Sequence, residues 1–180
     1  MTGTTAFEAF VRKYQDMVFG TAVRLLGDES EAEDVSQTVF LKAFERFDRL
    51  SENPSAGGWL RTVTTNLCLN HLSRFRARWR LFSQRRPGEP DTEPAYEERL
   101  VAREAQDADL ERSQEHARLE RAVRRLPRHQ RVPLVLFHFE ERSYAEIAQV
   151  LGVSLGKIKT DIHRGRETLR KLMVADDETL

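Results

Sequence analysis

Ser143-Tyr-Ala-Glu-Ile-Ala-Gln-Val-Leu-Gly152 runs directly into Val153-Ser-Leu-Gly-Lys-Ile-Lys-Thr-Asp-Ile-His-Arg-Gly-Arg166. In the first segment Ile147, Ala148 and Leu151 share the inward side of a short helix. Gly152 permits a tight turn, because glycine enters the left-handed region without a Cβ penalty. Val153 is placed to plug the angle between two helices, and Ser154 to cap the second. Ile158, Ile162 and Leu169 anchor that second helix. Lys157, Lys159, Thr160, His163, Arg164 and Arg166 supply donors away from the Ile158/Ile162 face. A helix, a glycine turn and a second helix rich in donors is the helix-turn-helix pattern. A major groove admits one such helix, whose outward residues reach bases and phosphates. An ordinary helical hairpin with a solvated basic face is the plain alternative. The turn glycine, the small Ala148 and the capped second helix favour DNA.

Working outward, Leu119, Val123 and Leu126 restore helical periodicity ahead of this motif. Pro127 opens a further, mostly buried helix through Val132, Leu134, Val135, Leu136, Phe137 and Phe139, with Pro133 in its first turns. Residues 83–115 differ in character: Pro87, Gly88, Pro90 and Pro94 interrupt regular structure and acids dominate, as in an extended linker. Further back, Phe7, Phe10, Val11, Tyr14, Val18, Ala22 and Leu25 form one apolar stripe. Gly27 ends that helix, and Asp28 or Ser30 caps the next, whose stripe is Val35, Val39 with Phe40, Ala43 with Phe44, and Phe47. Residues 51–58 read as a loop, and a third helix follows from Trp59 with Leu60, Val63, Leu67 and Leu72 inward. The predicted fold is all-α. Two small helical domains, 1–82 and 116–180, are joined by an acidic flexible linker, 83–115, and the second is a helix-turn-helix domain.

The 180 residues carry 29 Lys+Arg and 29 Asp+Glu, yet the zero net charge is unevenly spread. By segment it is −3 over 1–50, +6 over 51–88, −7 over 89–115 and +4 over 116–180. Two basic blocks flank an acidic one, an arrangement suited to a nucleic-acid partner. No stretch approaches the ~20 apolar residues of a membrane helix, and the N-terminus lacks a signal-peptide core. The lone Cys68 excludes an internal disulfide and a cysteine-rich zinc site, so a cytoplasmic setting is expected. No phosphate loop, nucleophile triad or metal-ligand spacing appears. Neither catalysis, a metal nor a cofactor is expected.

A second constellation runs from Trp59 to Arg76. The amides Asn66 and Asn70 and the hydroxyls Thr62, Thr65 and Ser73 precede an arginine run, near aromatic rings. Polar edges with cations suit unpaired bases and their phosphates. The same pattern also fits a solvated helix end. The acidic helix over 29–48 is either a docking surface or a solvated face.

In this order, the pieces resemble the extracytoplasmic-function type of bacterial sigma factor. The motifs are Glu33-Asp-Val-Ser-Gln-Thr-Val-Phe-Leu-Lys-Ala-Phe44, Trp59-Leu-Arg61 with Asn66 and Asn70, Ser143-Tyr-Ala-Glu-Ile-Ala148, and Ile158 to Arg166. The resemblance covers about 1–82 and 116–175. It implies that Asp34, Gln37 and Lys42 bind the clamp helices of the largest polymerase subunit. It implies that Arg61, Asn66, Asn70 and Arg74, with the 51–58 loop, melt and read the −10 element. It places Ser154, Lys157, Lys159, Thr160, His163 and Arg164 on the −35 element, with that domain resting on the polymerase flap. The linker would thread toward the active-site cleft, and an anti-sigma factor is the implied regulator. Three positions depart from the family pattern. Lys157 stands where a small hydroxyl residue is common, Asp161 where a basic residue is, and Gly165 where alanine is frequent. Asp161 is expected to face DNA, accepting from a cytosine or orienting Arg164. The rival is a stand-alone helix-turn-helix regulator with an N-terminal dimerisation or sensing bundle, and a protein-only helical adaptor is a third reading.

Overall fold

The apolar stripe of the N-terminus winds into helix α1, Thr2–Leu26, in this computed structural model, which describes residues 2–83 and 108–177 and the side chains of 5–73 and 114–175. Gly27, at φ 76°, stops α1, and its N–H donates to the Val23 carbonyl at 2.8 Å. The Asp28 carboxylate then caps α2, Glu29–Phe44, accepting from the Glu31 N–H at 2.8 Å. Acidic Glu29 and Glu31 sit in the first turn, where the helix dipole favours them. Val18, Ala22 and Leu25 of α1 are fully buried, as are Ala32, Val39 and Ala43 of α2. Short α3, Phe47–Leu50, leads to α4, Ala56–Ser83. Leu60, Thr64, Thr65, Cys68 and Leu72 form the inner face of α4. The buried Thr64 hydroxyl costs little, because it donates to the Leu60 carbonyl at 2.7 Å.

The helix expected from Trp59 begins three residues earlier. Gly57 and Gly58, read as loop, lie in its first turn. The N–H groups there have no intrahelical partner in any case, so glycine is tolerated better than mid-helix. Gly57 also lies close to Tyr14: a Cβ would sit 3.3 Å from the Tyr14 ring. The loop shortens to Ser51–Ser55, where the Asn53 side chain accepts from the Ser55 N–H at 2.8 Å.

Residues 1–82 and 83–180 form two separate units. The second contains α5 Ala108–Arg124, α6 Arg128–His138, α7 Tyr144–Leu151 and α8 Leu155–Asp177. The described part of the predicted linker, from Ala108, is helical; 84–107 lie outside the described residues. Ala122, Val123, Leu126, Val132, Leu134, Val135, Leu136, Ile147, Ile158 and Ile162 make the core. Pro133 sits in the second turn of α6 and removes one backbone bond, to the His129 carbonyl. Arg131 is buried at 2% exposure, and its Nη1 donates to the carbonyls of Leu126 (2.8 Å) and Arg124 (3.2 Å). A charged side chain thus satisfies carbonyls where α5 turns into α6. The helices α6 and α8 pack so closely that a Cβ on Gly165 would meet Leu134 Cδ1 at 3.0 Å. No strand occurs among the described residues, in agreement with the all-α prediction.

Candidate nucleic-acid interface

The turn between α7 and α8 is built from local chemistry. Ser143 accepts from the Glu146 N–H at 3.3 Å while Glu146 Oε2 accepts from the Ser143 N–H at 2.8 Å, a reciprocal capping box. The Ser143 hydroxyl also donates to Glu146 Oε2 at 2.7 Å, and this bond, followed by that from the Ser143 N–H, holds the Glu146 pKa below its ordinary value. Gly152 at φ 65° ends α7, and the Val153 N–H reaches back to the Ala148 carbonyl at 3.1 Å. Ser154 Oγ accepts from the Lys157 N–H at 3.2 Å and so caps α8. Its hydroxyl proton remains available to a ligand.

With Ile158, Ile162 and Gly165 inward, α8 exposes Lys159, Thr160, His163 and Arg164. Lys159 and Arg164 have no ion-pair partner among the described residues, so both charges remain uncompensated. His163 Nε2 lies 3.5 Å from Glu167 Oε1, an exposed pair weakened by solvent. Two expectations are corrected on this helix. Asp161 does not face outward: it is 6% exposed, on the helix flank beside the buried Ile158, Ile162 and Gly165. Its partner is not Arg164 but Lys157, whose Nζ lies 2.7 Å from Oδ2 one turn earlier. Lys157 is therefore half of an ion pair rather than a free cation.

On α4, Thr62, Asn66, Asn70 and Ser73 are exposed and lie on one stripe at spacings of four, four and three. Arg61 is exposed but sits about 140° round the helix from Asn66. The Arg74 side chain lies outside the described residues. Thr65, expected outward with Thr62 and Ser73, is 1% exposed and lies on the core face with Cys68. Beside the stripe, the Arg46 guanidinium lies 5.9 Å from the Trp59 ring centroid.

On α2, Asp34, Gln37 and Lys42 are all exposed. Asp34 and Gln37 share a face with Leu41 and Phe44, and Lys42 stands to one side. The sequence stripe predicts Phe44 inward, yet it is 59% exposed, and Leu41 is 66% exposed. Of that stripe Val35, Val39 and Ala43 are buried, whereas Phe44 only touches Phe7 of α1 edge-on, ring centroids 5.0 Å apart. The result is an apolar groove of ≈ 850 Å³ between α1 and α2, lined by Phe19, Phe40, Leu41 and Phe44 and edged by Glu33 and Gln37. In the sequence, Phe40, Leu41 and Phe44 fall off the 35–39–43 register and crowd a second face.

Comparison with known proteins places these features in a family. The pattern for sigma-70 region 2 matches residues 10–80, and that for sigma-70, region 4, matches 116–169. The chain is 32% identical to the ECF RNA polymerase sigma factor SigW of Bacillus subtilis, over 92% of this chain and 88% of that protein. It is likewise 32% identical to the RNA polymerase sigma-E factor of Streptomyces coelicolor, over 95% and 88% of the two chains. Among solved structures, the sigma factor RpoE of Bartonella quintana, crystallised with the anti-sigma factor NepR, shares the fold. Its TM-score is 0.51 at 24% identity, over 94% of this chain and 98% of that one.

Proposed function

The chain belongs to the extracytoplasmic-function sigma factors, and from that premise we propose how its residues divide the work of promoter recognition. A sigma factor binds core RNA polymerase and promoter DNA and directs transcription initiation, under the control of an anti-sigma factor. Bond making belongs to the polymerase, so this chain supplies specificity and no catalysis, in the cytoplasm where the polymerase works.

Residues 1–82 engage the clamp helices of the largest subunit through the α2 face bearing Asp34 and Gln37, with Lys42 at its margin. The exposed apolar pair Leu41 and Phe44 beside them supports a docking role, because solvated faces seldom carry such a pair. Asn66 and Asn70, with Arg61, Arg74 and the 51–58 segment, read and melt the −10 element. Residues 116–180 seat α8 in the −35 major groove and rest on the polymerase flap. Lys159, Thr160, His163 and Arg164 face DNA, Ser154 donates to a phosphate at the groove rim, and Lys157 enters as the paired cation described above. Residues 83–115 link the two domains, threading toward the active-site cleft.

One observation carries this reading: a capped helix-turn-helix whose second helix leaves Lys159 and Arg164 uncompensated on its exposed side. The deciding experiment is in vitro transcription with core polymerase, with and without this protein. Promoter-specific transcripts and an open transcription bubble that depend on the protein are expected. Sequence-specific binding of duplex DNA by the protein alone, as a dimer and with no transcript, would overturn the reading and favour a stand-alone regulator.

A further inference from the structure

Arg166 is fixed in place without being neutralised. Its Nε donates to His138 Nε2 at 3.1 Å, and its guanidinium carbon lies 5.6 Å from the Phe137 ring centroid. To accept that bond, His138 must be neutral, with its proton on Nδ1. Burial, and then the charge of Arg166 itself, hold the His138 pKa below its ordinary value and keep the acceptor available. A carboxylate in the same place would cancel the arginine's charge, whereas an imidazole and a ring face leave it intact. The two terminal nitrogens make no hydrogen bond among the described residues, so the planar fork is aimed and keeps its donors.

The platform also sits in the right part of the fold. Phe137 packs on Tyr144, ring centroids 4.7 Å apart, which ties the end of α6 to the start of α7. Arg166 follows Lys159 by seven residues, two turns further along the same flank of α8. In a helix-turn-helix the first helix crosses the DNA backbone while the second enters the groove. An oriented guanidinium at that edge matches the geometry of a phosphate. We infer that Arg166 binds a phosphate of the promoter duplex beside the −35 element, and that His138, outside the helix-turn-helix, is the positioning residue that aims it. The inference rests on the reading of α8 as the −35 helix.

The test uses the full chain assembled with core polymerase, on a promoter selected by that holoenzyme, and follows promoter affinity against salt. One lost phosphate contact lowers the slope of log affinity against log salt by about 0.9, and affinity at 0.1 M salt by about eightfold. Arg166→Ala is expected to do both and to leave −35 base preference unchanged. His138→Leu should reproduce most of that loss. His138→Gln, whose amide oxygen can accept the same bond, should restore it. The double variant should lose no more than Arg166→Ala alone. If His138→Leu lowers thermal stability and leaves the slope untouched, His138 is structural and the positioning role is wrong. If Lys159→Ala lowers the slope and Arg166→Ala does not, the phosphate seat is wrong while the reading of α8 stands. If neither moves the slope, the reading of α8 fails as well. Weaker core binding by Arg166→Ala at an unchanged slope would assign Arg166 to a protein partner and overturn the inference.

Discussion

Gly165→Ala should destabilise the C-terminal unit, although replacing a helix-interior glycine by alanine ordinarily stabilises by about 1 kcal/mol. The opposing effect is steric. A Cβ at Gly165 would lie 3.0 Å from Leu134 Cδ1, 3.3 Å from the Gln130 carbonyl oxygen and 3.5 Å from Gln130 Cβ. The carbonyl is backbone within α6 and cannot swing aside. Leu134 is 2% exposed, so its rotamer is held by the core. Overpacking of this kind costs about 1–3 kcal/mol, which outweighs or cancels the propensity gain and leaves a net loss of about 1 kcal/mol. Gly156→Ala, on the same helix, is the matched control, since a Cβ there meets nothing within 4 Å. It should be neutral or stabilise by up to about 0.5–1 kcal/mol, less than mid-helix because it stands in the first turn. Comparing the two variants removes most of the shared propensity effect and isolates the contact with α6.

The readout must belong to the right unit. Trp59 and Trp79 both lie on α4, so intrinsic fluorescence follows the N-terminal unit. Amide hydrogen exchange in α6 and α8 reports the C-terminal one directly. A contact worth about 1–3 kcal/mol separates the two variants by roughly five- to 140-fold in protection. Gly165→Ala protected as strongly as Gly156→Ala would refute the close approach of α8 to α6.

Arg131→Leu should cost the same unit about 2–4 kcal/mol, because the Arg124 and Leu126 carbonyls lose charge-assisted donors; exchange protection within tenfold of wild type would contradict this. Asn66→Ala and Asn70→Ala should each leave stability within about 0.5 kcal/mol, as both side chains are exposed, while reducing promoter opening measured by permanganate reactivity of unpaired thymines. A large fall in melting temperature would make those amides structural. Glu146 has a lowered folded pKa, so its stabilisation is complete above the ordinary carboxylate value of 4.5 and is lost as pH falls through the lower folded value. Glu146→Gln should therefore flatten the acid limb of the α7 exchange profile; an unchanged limb would show that the capping box does not contribute.

The helix-turn-helix was legible because each of its signals acts within a few residues. Gly152 takes the left-handed turn and Ser154 starts the next helix, whereas the reciprocal Ser143–Glu146 cap, equally local, emerged only from the structure. Burial depends on which helix lies opposite, and there the sequence said less. Thr65 and Asn66 are adjacent and both polar, but the first faces the core and the second does not. Arg131 looks like any other basic residue in an arginine-rich stretch until the turn from α5 to α6 brings two carbonyls to it. Leu41 and Phe44 look like core and are largely exposed, which is why the α2 groove emerged only from the fold. Periodicity registers how much apolar surface a helix carries, not whether a partner within the chain covers it.

The three departures from the family pattern on α8 make physical sense together. Lys157, Asp161 and Gly165 succeed one another at intervals of four, so they form one line along the helix, which meets α6 at Gly165. Gly165, lacking a Cβ, lets the α8 backbone settle against Leu134 and the Gln130 carbonyl. Asp161, one turn earlier, is also out of solvent, and an unpaired buried carboxylate would be expensive. Lys157, a further turn back and half exposed, closes a 2.7 Å pair with it and keeps its own ammonium partly in water. A small residue, a buried anion and a snorkelling cation thus answer one another along the packing seam. Lys159, Thr160, His163 and Arg164 are outside that seam and stay exposed. The residue types at 157, 161 and 165 therefore bear on how α8 is held within its unit, rather than on the exposed side chains at 159, 160, 163 and 164.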